Sequence, residues 1–322
     1  MKTIRFHEYG DPHVLQLDDL PTPDPAAGQV RVRLTAAGVN FIDTYQRRGR
    51  YPVPLPYTPG SEGAGVVDAL GADVTLFRVG DPVAFAMTPG AYAESVIVPA
   101  DKLVPVPPSV GLKLAAAVML QGMTAHYLTD ATFPLHAGHT ALVHAAAGGT
   151  GQLIVQMAKQ RGARVIATVS TEAKAEIARG VGADAVILYT QQDFEIETRR
   201  LTDGVGVDVV YDSVGATTFE QSLKSLKPRG LLALFGAASG PVPPFDLARL
   251  NGLGSLFVTR PSLGHYLLTR EELLRRAGAV FAGIADGWLR PAIDREFALA
   301  DAAAAHTALE GRESLGKFVL LL

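Results

Sequence analysis

The sequence predicts an α/β protein in which a β-rich N-terminal region precedes a doubly wound parallel sheet. Two observations indicate this fold class. Up to about residue 110, short runs of alternating polar and apolar residues are separated by Gly-, Pro- and Asp-containing turns. Beyond about residue 140, apolar runs of strand length alternate with segments long enough for crossover helices. Such alternation favours parallel strands joined by right-handed crossovers.

The individual elements follow from hydrophobic periodicity. Period-two alternation predicts a strand at 30–34, and β-rich runs predict strands at 63–69 and 92–98. From Leu112 onward, apolar residues recur at three- and four-residue spacing, which predicts a helix. Five strands of the parallel sheet are expected next, at 140–144, 164–169, 185–188, 207–211 and 231–235. The chain ends with a helix at 271–287 and an apolar run at 316–322 that is expected to return to the first domain.

Composition and charge exclude several classes of protein. The chain has no cysteine, which excludes disulfides, thiolate catalysis, iron–sulfur clusters and every cysteine-containing zinc site. A formal net charge of −3 provides no overall basic field for nucleic acid. The apolar runs at 114–120 and 318–322 are far shorter than the ~20 residues of a membrane span. Residues 1–6 alternate like a strand rather than a signal peptide, so we expect a cytoplasmic protein.

The strongest local motif follows the predicted strand at 140–144. There an apolar strand leads into the small residues Ala-Ala-Ala-Gly-Gly-Thr-Gly and then into an amphipathic helix. Glycines let the backbone approach a pyrophosphate, and the helix N-terminus attracts it. Ala145 and Ala147 depart from the usual G-x-G-x-x-G fingerprint, and a tight connection without a ligand is the alternative. Its place at the first strand–helix unit favours a dinucleotide site formed by Gly148, Gly149, Thr150 and Gly151.

The end of the next strand bears on the choice of cofactor. An NAD site places an acidic residue there, about 20 residues beyond the glycine turn, to bind the ribose diol. This chain has Ser170 instead, with Lys174 one helical turn further on and Tyr189 after the following strand. An N-capping serine and a solvated lysine are the alternatives. Together the three residues can accept a 2′-phosphate, which predicts NADPH as the cofactor.

Several motifs, spread in order over essentially the whole chain, carry a family resemblance. They are Gly-Val-Asn-Phe-Ile-Asp-Thr-Tyr at 38–45, Pro-Gly-Ser-Glu-Gly-Ala-Gly at 59–65, Gln-Gly-Met-Thr-Ala at 121–125, the glycine turn, and Val-Thr-Arg-Pro-Ser-Leu at 258–263. The chain thereby resembles quinone oxidoreductases of the zeta-crystallin type, within the medium-chain dehydrogenase/reductase superfamily. The resemblance implies a GroES-like β-barrel domain (1–122 and 263–322), a Rossmann NADP-binding domain (123–262), and a nicotinamide cleft between them.

The same resemblance raises the question of zinc, which related alcohol dehydrogenases bind. At the positions of their catalytic ligands this chain has Asn40 in place of Cys and Ser61 in place of His, and it keeps only Glu62. One carboxylate cannot hold catalytic zinc, so no metal is expected. Three histidines at 136, 139 and 144 invite a metal site, but a polar turn and a packed strand histidine account for them more simply.

Without metal, the resemblance implies direct hydride transfer to an electron-poor acceptor such as a quinone or an enone. It places Asn40, Tyr45 and Gln121 around the nicotinamide: Asn40 and Gln121 for orientation and polarisation, Tyr45 as a candidate donor to the acceptor oxygen. A satisfied turn residue, an amphipathic wall and a helix-surface amide are the respective alternatives. The remaining cofactor contacts expected by resemblance, and by position at strand ends, are Thr124, Ser213, Phe235, Gly236, Phe257, Thr259 and Arg312.

The function predicted from the sequence is therefore NADPH-dependent, zinc-independent reduction of a quinone. A 2-alkenal or enone reductase with the same cofactor is the alternative within enzymes, and an NADPH-binding, RNA-associated protein is the alternative outside them. The net charge of −3 disfavours RNA. An apolar strand predicted at 254–259 would lie at the edge of the parallel sheet, and the family resemblance adds a homodimer paired through that edge.

Overall fold

The computed structural model describes all 322 residues, Met1–Leu322. They form two compact units: the first comprises Met1–Met123, Leu267–Gly287 and Pro291–Leu322, and the second comprises Thr124–Tyr266 and Trp288–Arg290. No helix in the structure has both the length and the apolar character needed to cross a membrane.

The strands form three sheets, of two, six and seven strands. In chain order they are β1 (Lys2–Arg5), β2 (Gln16–Asp19), β3 (Gln29–Gly38), β4 (Glu62–Leu70), β5 (Pro82–Ala86), β6 (Ser95–Pro99), β7 (Val104–Pro105), β8 (Thr140–His144), β9 (Arg164–Val169), β10 (Ala185–Leu188), β11 (Val207–Asp212), β12 (Leu226–Leu234), β13 (Phe257–Thr259), β14 (Ile293–Ala298) and β15 (Lys317–Leu321).

The helices connect the strands of the second unit and flank those of the first. They are α1 (Phe41–Arg47), α2 (Leu112–Tyr127), α3 (Gly149–Gln160), α4 (Glu172–Gly180), α5 (Phe194–Leu201), α6 (Phe219–Ser225), α7 (Ala248–Gly252), α8 (Arg270–Ala285) and α9 (Ala302–Glu310).

The first unit is built on a seven-stranded, mainly antiparallel sheet in the order β14-β15-β3-β4-β5-β7, with β6 also paired to β3. The predicted closing strand, β15, pairs antiparallel with β3, and Val319 lies opposite Gly38. This pairing brings Lys317 and Asn40, far apart in sequence, to the same end of the β3–β15 ladder. The core beneath the sheet is apolar and includes Phe6, Phe85 and Phe318.

The second unit confirms the predicted doubly wound sheet. Its six strands are all parallel and run in the order β10-β9-β8-β11-β12-β13. The first strand, β8, is central, and the chain winds outward from it in both directions. Ligands of such sheets bind at the carboxyl ends of the strands near the point where the winding reverses, which here lies between β8 and β11.

The structure differs from the sequence prediction at the edge strand of the second unit and at the domain boundaries. The edge strand β13 begins at Phe257 rather than at 254, because Gly254 and Ser255 have φ angles of 112° and 56° and turn the chain before the strand starts. Leu263–Tyr266 and Trp288–Arg290 belong to the second unit rather than the first, and Met123 belongs to the first unit. The side chain of Gln156 on α3 explains the placement of Trp288–Arg290, since it bonds both backbone groups of Arg290, at 2.7 Å to the nitrogen and 3.3 Å to the oxygen.

Candidate cofactor and active sites

The glycine turn lies between β8 and α3, as the sequence predicts. Gly148 caps α3, and Gly149 and Thr150 are half-buried at its first turn. At Gly151 an added Cβ would lie 2.3 Å from the carbonyl oxygen of Ala145, so the helix can approach the turn this closely only with glycine there. The turn and the unpaired N–H groups of the first helical turn fit a pyrophosphate.

The three residues proposed for cofactor choice lie together at one edge of the sheet. Leu188 pairs with Val169 in the β9–β10 ladder, and the Tyr189 N–H bonds the Val169 carbonyl at 3.1 Å, so Tyr189 lies beside Ser170. Thr171, rather than Ser170, caps α4 and accepts a hydrogen bond from the Lys174 N–H at 3.3 Å. Lys174 therefore lies in the first turn of α4, close to the same edge.

Three further predicted cofactor residues lie at the ends of the next two strands of the sheet. Gly236 packs against Ser213 so closely that an added Cβ would lie 2.4 Å from the Ser213 oxygen, and Phe235 donates its N–H to the Asp212 carbonyl at 2.8 Å. The sequence did not single out Asp212, although its fully buried carboxylate organises this turn. That carboxylate accepts hydrogen bonds from Val214 N, Gly215 N, Thr218 Oγ1 and Ser222 Oγ at 2.7–3.2 Å.

The remaining predicted cofactor residues lie on different elements of the structure. Thr124 lies buried on α2 as the first residue of the second unit. Phe257 and Thr259 lie on the edge strand β13, where Phe257 is 59% exposed. Arg312 follows α9 in the first unit, is exposed, and has a φ of 59°.

The histidines near the glycine turn make contacts with other side chains of the protein. His144 is buried at the end of β8, with Nδ1 2.7 Å from Thr168 Oγ1 and Nε2 2.9 Å from Ser222 Oγ. Burial lowers the pKa of His144 and keeps it neutral. His136 and His139 contact each other with ring centroids 3.6 Å apart. Nowhere does the structure group three His, Asp or Glu side chains in a way that could hold a metal ion.

In the first unit, Asn40 is the N-cap residue of α1. Its Oδ1 accepts from Lys317 Nζ at 2.6 Å, and its Nδ2 donates to Glu62 Oε1 at 2.8 Å and to the Gly38 carbonyl at 3.3 Å. Lys317 Nζ also lies 2.6 Å from Glu62 Oε1, with Lys317 2% exposed and Glu62 fully buried. Neither Glu62 nor Lys317 was a predicted site residue, and a lysine beginning an apolar C-terminal strand has no distinguishing signal in sequence.

The other two predicted catalytic residues belong to the same unit. Glu62 Oε2 accepts the backbone N–H of Leu120 at 2.6 Å, which ties the residue before Gln121 to the Asn40 cluster. Gln121 is half-buried on α2. Tyr45, on α1, is 9% exposed, and its ring packs edge-on against Tyr51 with centroids 5.5 Å apart. Glu62 thus bonds both the side chain of Asn40 and the backbone of Leu120, the neighbour of Gln121. Tyr45 instead packs against another aromatic ring.

Behind Asn40, a chain of buried polar groups runs through the unit. Asp43 accepts from the Asn40 N–H at 2.9 Å, from Ser61 Oγ at 2.7 Å and from Tyr92 Oη at 3.3 Å. His306 Nε2 lies 3.0 Å from Tyr92 Oη, and its Nδ1 lies 3.0 Å from Arg47 Nη1. Because arginine only donates, Nδ1 is the acceptor, so His306 carries its proton on Nε2 and donates to Tyr92. Every hydrogen bond in this series of buried polar groups therefore has a defined donor and acceptor.

Burial is the main cause of the pKa shifts of Asp43, His306 and Tyr92. Complete burial raises the pKa of Asp43 to about 6, opposed by the hydrogen bonds from Ser61 and Asn40. Burial, assisted by the charge of Arg47, lowers the pKa of His306 to about 3. Burial also raises the pKa of Tyr92 well above its usual range. At neutral pH His306 and Tyr92 are accordingly uncharged, and Asp43 is mostly ionised.

The residues of this cluster do not fit a catalytic zinc ion. At the positions where related dehydrogenases have Cys and His ligands, Asn40 and Ser61 donate hydrogen bonds to carboxylates. The one carboxylate left, Glu62, is paired with the ammonium group of Lys317, whose charge would repel a second cation at the same oxygen.

The two units with their sites define a class of protein: an oxidoreductase that uses a dinucleotide. Comparisons with known proteins agree. Residues 26–108 match the alcohol dehydrogenase GroES-like domain family, and residues 149–275 match the zinc-binding dehydrogenase family. The chain is 49% identical to a quinone oxidoreductase of Pseudomonas aeruginosa, with 99% of both chains covered. It is 44% identical to a 2-haloacrylate reductase of a Burkholderia species, covering 98% of this chain and 97% of that one.

A solved structure of Escherichia coli quinone oxidoreductase complexed with NADPH is also similar, with a TM-score of 0.98, 41% identity and complete coverage of both chains. The chain therefore belongs to the quinone oxidoreductase family of the zinc-independent medium-chain dehydrogenases/reductases. Its fold, a GroES-like β domain with a Rossmann domain, is the one predicted from sequence.

Proposed function

We propose that this protein reduces quinones with NADPH, without a metal ion. The observation that carries the proposal is the identity of 42–49%, over essentially the whole chain, to quinone oxidoreductases. In addition, Ser170 occupies the position at the edge of the sheet where an NAD site has an acidic residue. NADPH supplies a hydride. A quinone that accepts hydride becomes a hydroquinone anion, whose charge is delocalised over the ring, and one proton completes the two-electron reduction.

The residues of the second unit bind the cofactor in this proposal. The turn formed by Gly148, Gly149, Thr150 and Gly151 receives the pyrophosphate, and Ser170, Lys174 and Tyr189 receive the 2′-phosphate. Further contacts in this unit are assigned to Thr124, Ser213, Phe235, Gly236, Phe257 and Thr259, and Arg312 of the first unit is assigned to the same cofactor. Support comes from position: the glycine turn, Ser213 and Gly236 all follow strands at the carboxyl edge of a doubly wound sheet.

In the first unit, hydrogen-bonding capacity refines the role of Asn40. Both amide N–H atoms already donate, to Glu62 and to Gly38, so toward a ligand the side chain can only accept. We therefore assign Asn40 to orienting a donor group and withdraw the polarising role suggested by the sequence. Gln121 keeps the polarising role, and Tyr45 is proposed as a donor to the acceptor oxygen, with solvent as the alternative proton source.

A second substrate class has its own support. The Burkholderia relative is named for reduction of a 2-haloacrylate, an α,β-unsaturated acid. Hydride addition to an activated alkene and to a quinone both give a delocalised anion, so the same residues suit either reaction.

Turnover measurements test the proposed function. We expect purified protein to oxidise NADPH with a simple benzoquinone, at a rate that dialysis against a strong chelator leaves unchanged. An enone and a 2-haloacrylate, assayed in parallel, decide between the two substrate classes. Faster turnover of the alkenes would assign the protein to the alternative, and stoichiometric zinc lost together with activity would overturn the metal-free mechanism.

We also propose a cytoplasmic homodimer. The absence of cysteine suits a reducing compartment. Strand β13 pairs on one side only, with β12, and Val258 is 38% exposed. Pairing two copies of this edge about a two-fold axis would cover it and join two sheets. Light scattering is expected to give about twice the chain mass of 34.0 kDa, and Val258→Glu should shift the mass toward one chain. A wild-type mass of about one chain at micromolar concentration would contradict the dimer.

A further inference from the structure

Lys317, Glu62 and Asn40 form a closed triangle of polar contacts inside the first unit. Lys317 Nζ lies 2.6 Å from both Asn40 Oδ1 and Glu62 Oε1, and Asn40 Nδ2 lies 2.8 Å from the same Glu62 oxygen. All three side chains are buried, with Asn40 the most exposed at 4%. Lys317 also donates to the Val39 carbonyl at 3.0 Å. Water therefore cannot substitute freely for any of these contacts.

The chemistry of the two charged groups determines which way the Asn40 amide points. An ammonium group only donates and an ionised carboxylate only accepts, so the amide oxygen must face Lys317 and the amide nitrogen must face Glu62. Loss of the ammonium group would remove the hydrogen bond that Lys317 donates to this oxygen. The amide could then rotate, because its two ends have nearly the same shape.

The triangle also contacts the helix that carries Gln121. Glu62 uses its other oxygen, Oε2, to accept the N–H of Leu120, the residue before Gln121 on α2. One ammonium group thus balances the carboxylate that contacts both Asn40 and the Gln121 segment. Lys317 itself comes from β15, 277 residues away from Asn40 in sequence.

We propose that Lys317 is a positioning residue for the reduction reaction, holding the Asn40 oxygen in the orientation that accepts a ligand donor. The proposal rests on the role assigned to Asn40 above. The competing explanation is that Lys317 only neutralises buried Glu62, in which case it would matter for folding and not for turnover. The two explanations differ in what happens when both charges are removed together.

The experiment compares Glu62→Gln with the double variant Glu62→Gln/Lys317→Met. Because no uncompensated buried charge remains in the double variant, we expect it to melt close to the wild-type temperature. Its kcat with NADPH and benzoquinone is nevertheless expected to fall at least about tenfold below that of Glu62→Gln, since a misplaced group costs rate rather than folding. Lys113→Met, which removes an exposed lysine paired with Glu296, is the matched control and should not change kcat.

Asn40→Ala completes the test. If Lys317 acts through Asn40, the triple variant Glu62→Gln/Lys317→Met/Asn40→Ala should have the same kcat as Glu62→Gln/Asn40→Ala, because removing Lys317 costs no further rate once Asn40 is absent. Equal kcat for Glu62→Gln and the double variant would show that Lys317 only balances charge, and additive losses would show that it acts elsewhere; either overturns the proposal. Unchanged turnover on Asn40→Ala alone would instead reject the role assigned to Asn40.

Discussion

Replacing His306 by Gln is expected to weaken the acid sensitivity of folding. His306 is fully buried and its pKa is lowered to about 3 by burial and by Arg47, whereas an unfolded histidine titrates near 6.5. The folded state keeps His306 neutral, so its contribution to stability is complete above pH 6.5 and is lost as pH falls toward 3. The expected loss is about 5 kcal/mol over that range. His306→Gln has no such loss, so its deficit relative to wild type should shrink on acidification.

Asp43 provides a second test, because its pKa shift changes stability with pH in the opposite direction to that of His306. Its pKa is raised to about 6 by burial, so the folded state is favoured by protonation, and stability is lost as pH rises through about 6. Wild type should therefore gain about 3 kcal/mol between pH 6 and 4 that Asp43→Asn does not gain. Asp43→Asn should consequently fall further behind wild type in acid, the reverse of His306→Gln.

Urea unfolding at a series of pH values between 7.5 and about 4 measures both effects as differences from wild type. His13→Gln, which removes an exposed imidazole, is the matched control and should run parallel to wild type. Parallel curves for wild type and His306→Gln would mean that the Arg47–His306–Tyr92 chain does not keep the imidazole neutral.

Lys174→Ala is expected to weaken NADPH binding by ~10- to 100-fold and to leave NADH binding nearly unchanged. A hydrogen bond that involves a charged group contributes ~1.5–3 kcal/mol, and 1.4 kcal/mol corresponds to a factor of ten. Lys174 lies in the first turn of α4, where its N–H bonds Thr171, the residue after Ser170. Glu172, the acidic residue of the same turn, is paired with Arg179 at 2.6 Å, so it does not oppose a phosphate at the edge of the sheet.

Dissociation constants of both cofactors for wild type and variant, at fixed salt, test this prediction. Lys224→Ala, which removes a half-exposed lysine on α6 of the same unit, should affect neither cofactor. Equal weakening of NADPH and NADH would make Lys174 a structural residue. A wild-type preference for NADH would mean that the phosphate pocket has been assigned to the wrong strand end.

Local signals predicted the second unit well. Strands β8, β9 and β10 begin and end where the apolar runs do, because strand–helix alternation is written in periodicity over five to ten residues. The proximity of Ser170 and Tyr189 followed from the same pattern, since parallel neighbouring strands present their carboxyl ends at one edge. The strand predicted at 254–259 was longer than the observed β13. Gly254 and Ser255 form a turn instead, and the positive φ angles of that turn are not visible in the apolar pattern.

The sequence by itself determined the class of fold, the dinucleotide turn, the absence of an acidic ribose ligand and the loss of zinc ligands at positions 40 and 61. Each depends on which residue occupies one place in a local pattern. Only the tertiary structure decided what Asn40 does with its amide, that Lys317 and Glu62 flank it, and that His306 is neutral. These groups lie up to 277 residues apart. Which groups they pair with is decided only when folding removes water and leaves the buried polar groups with one another as partners.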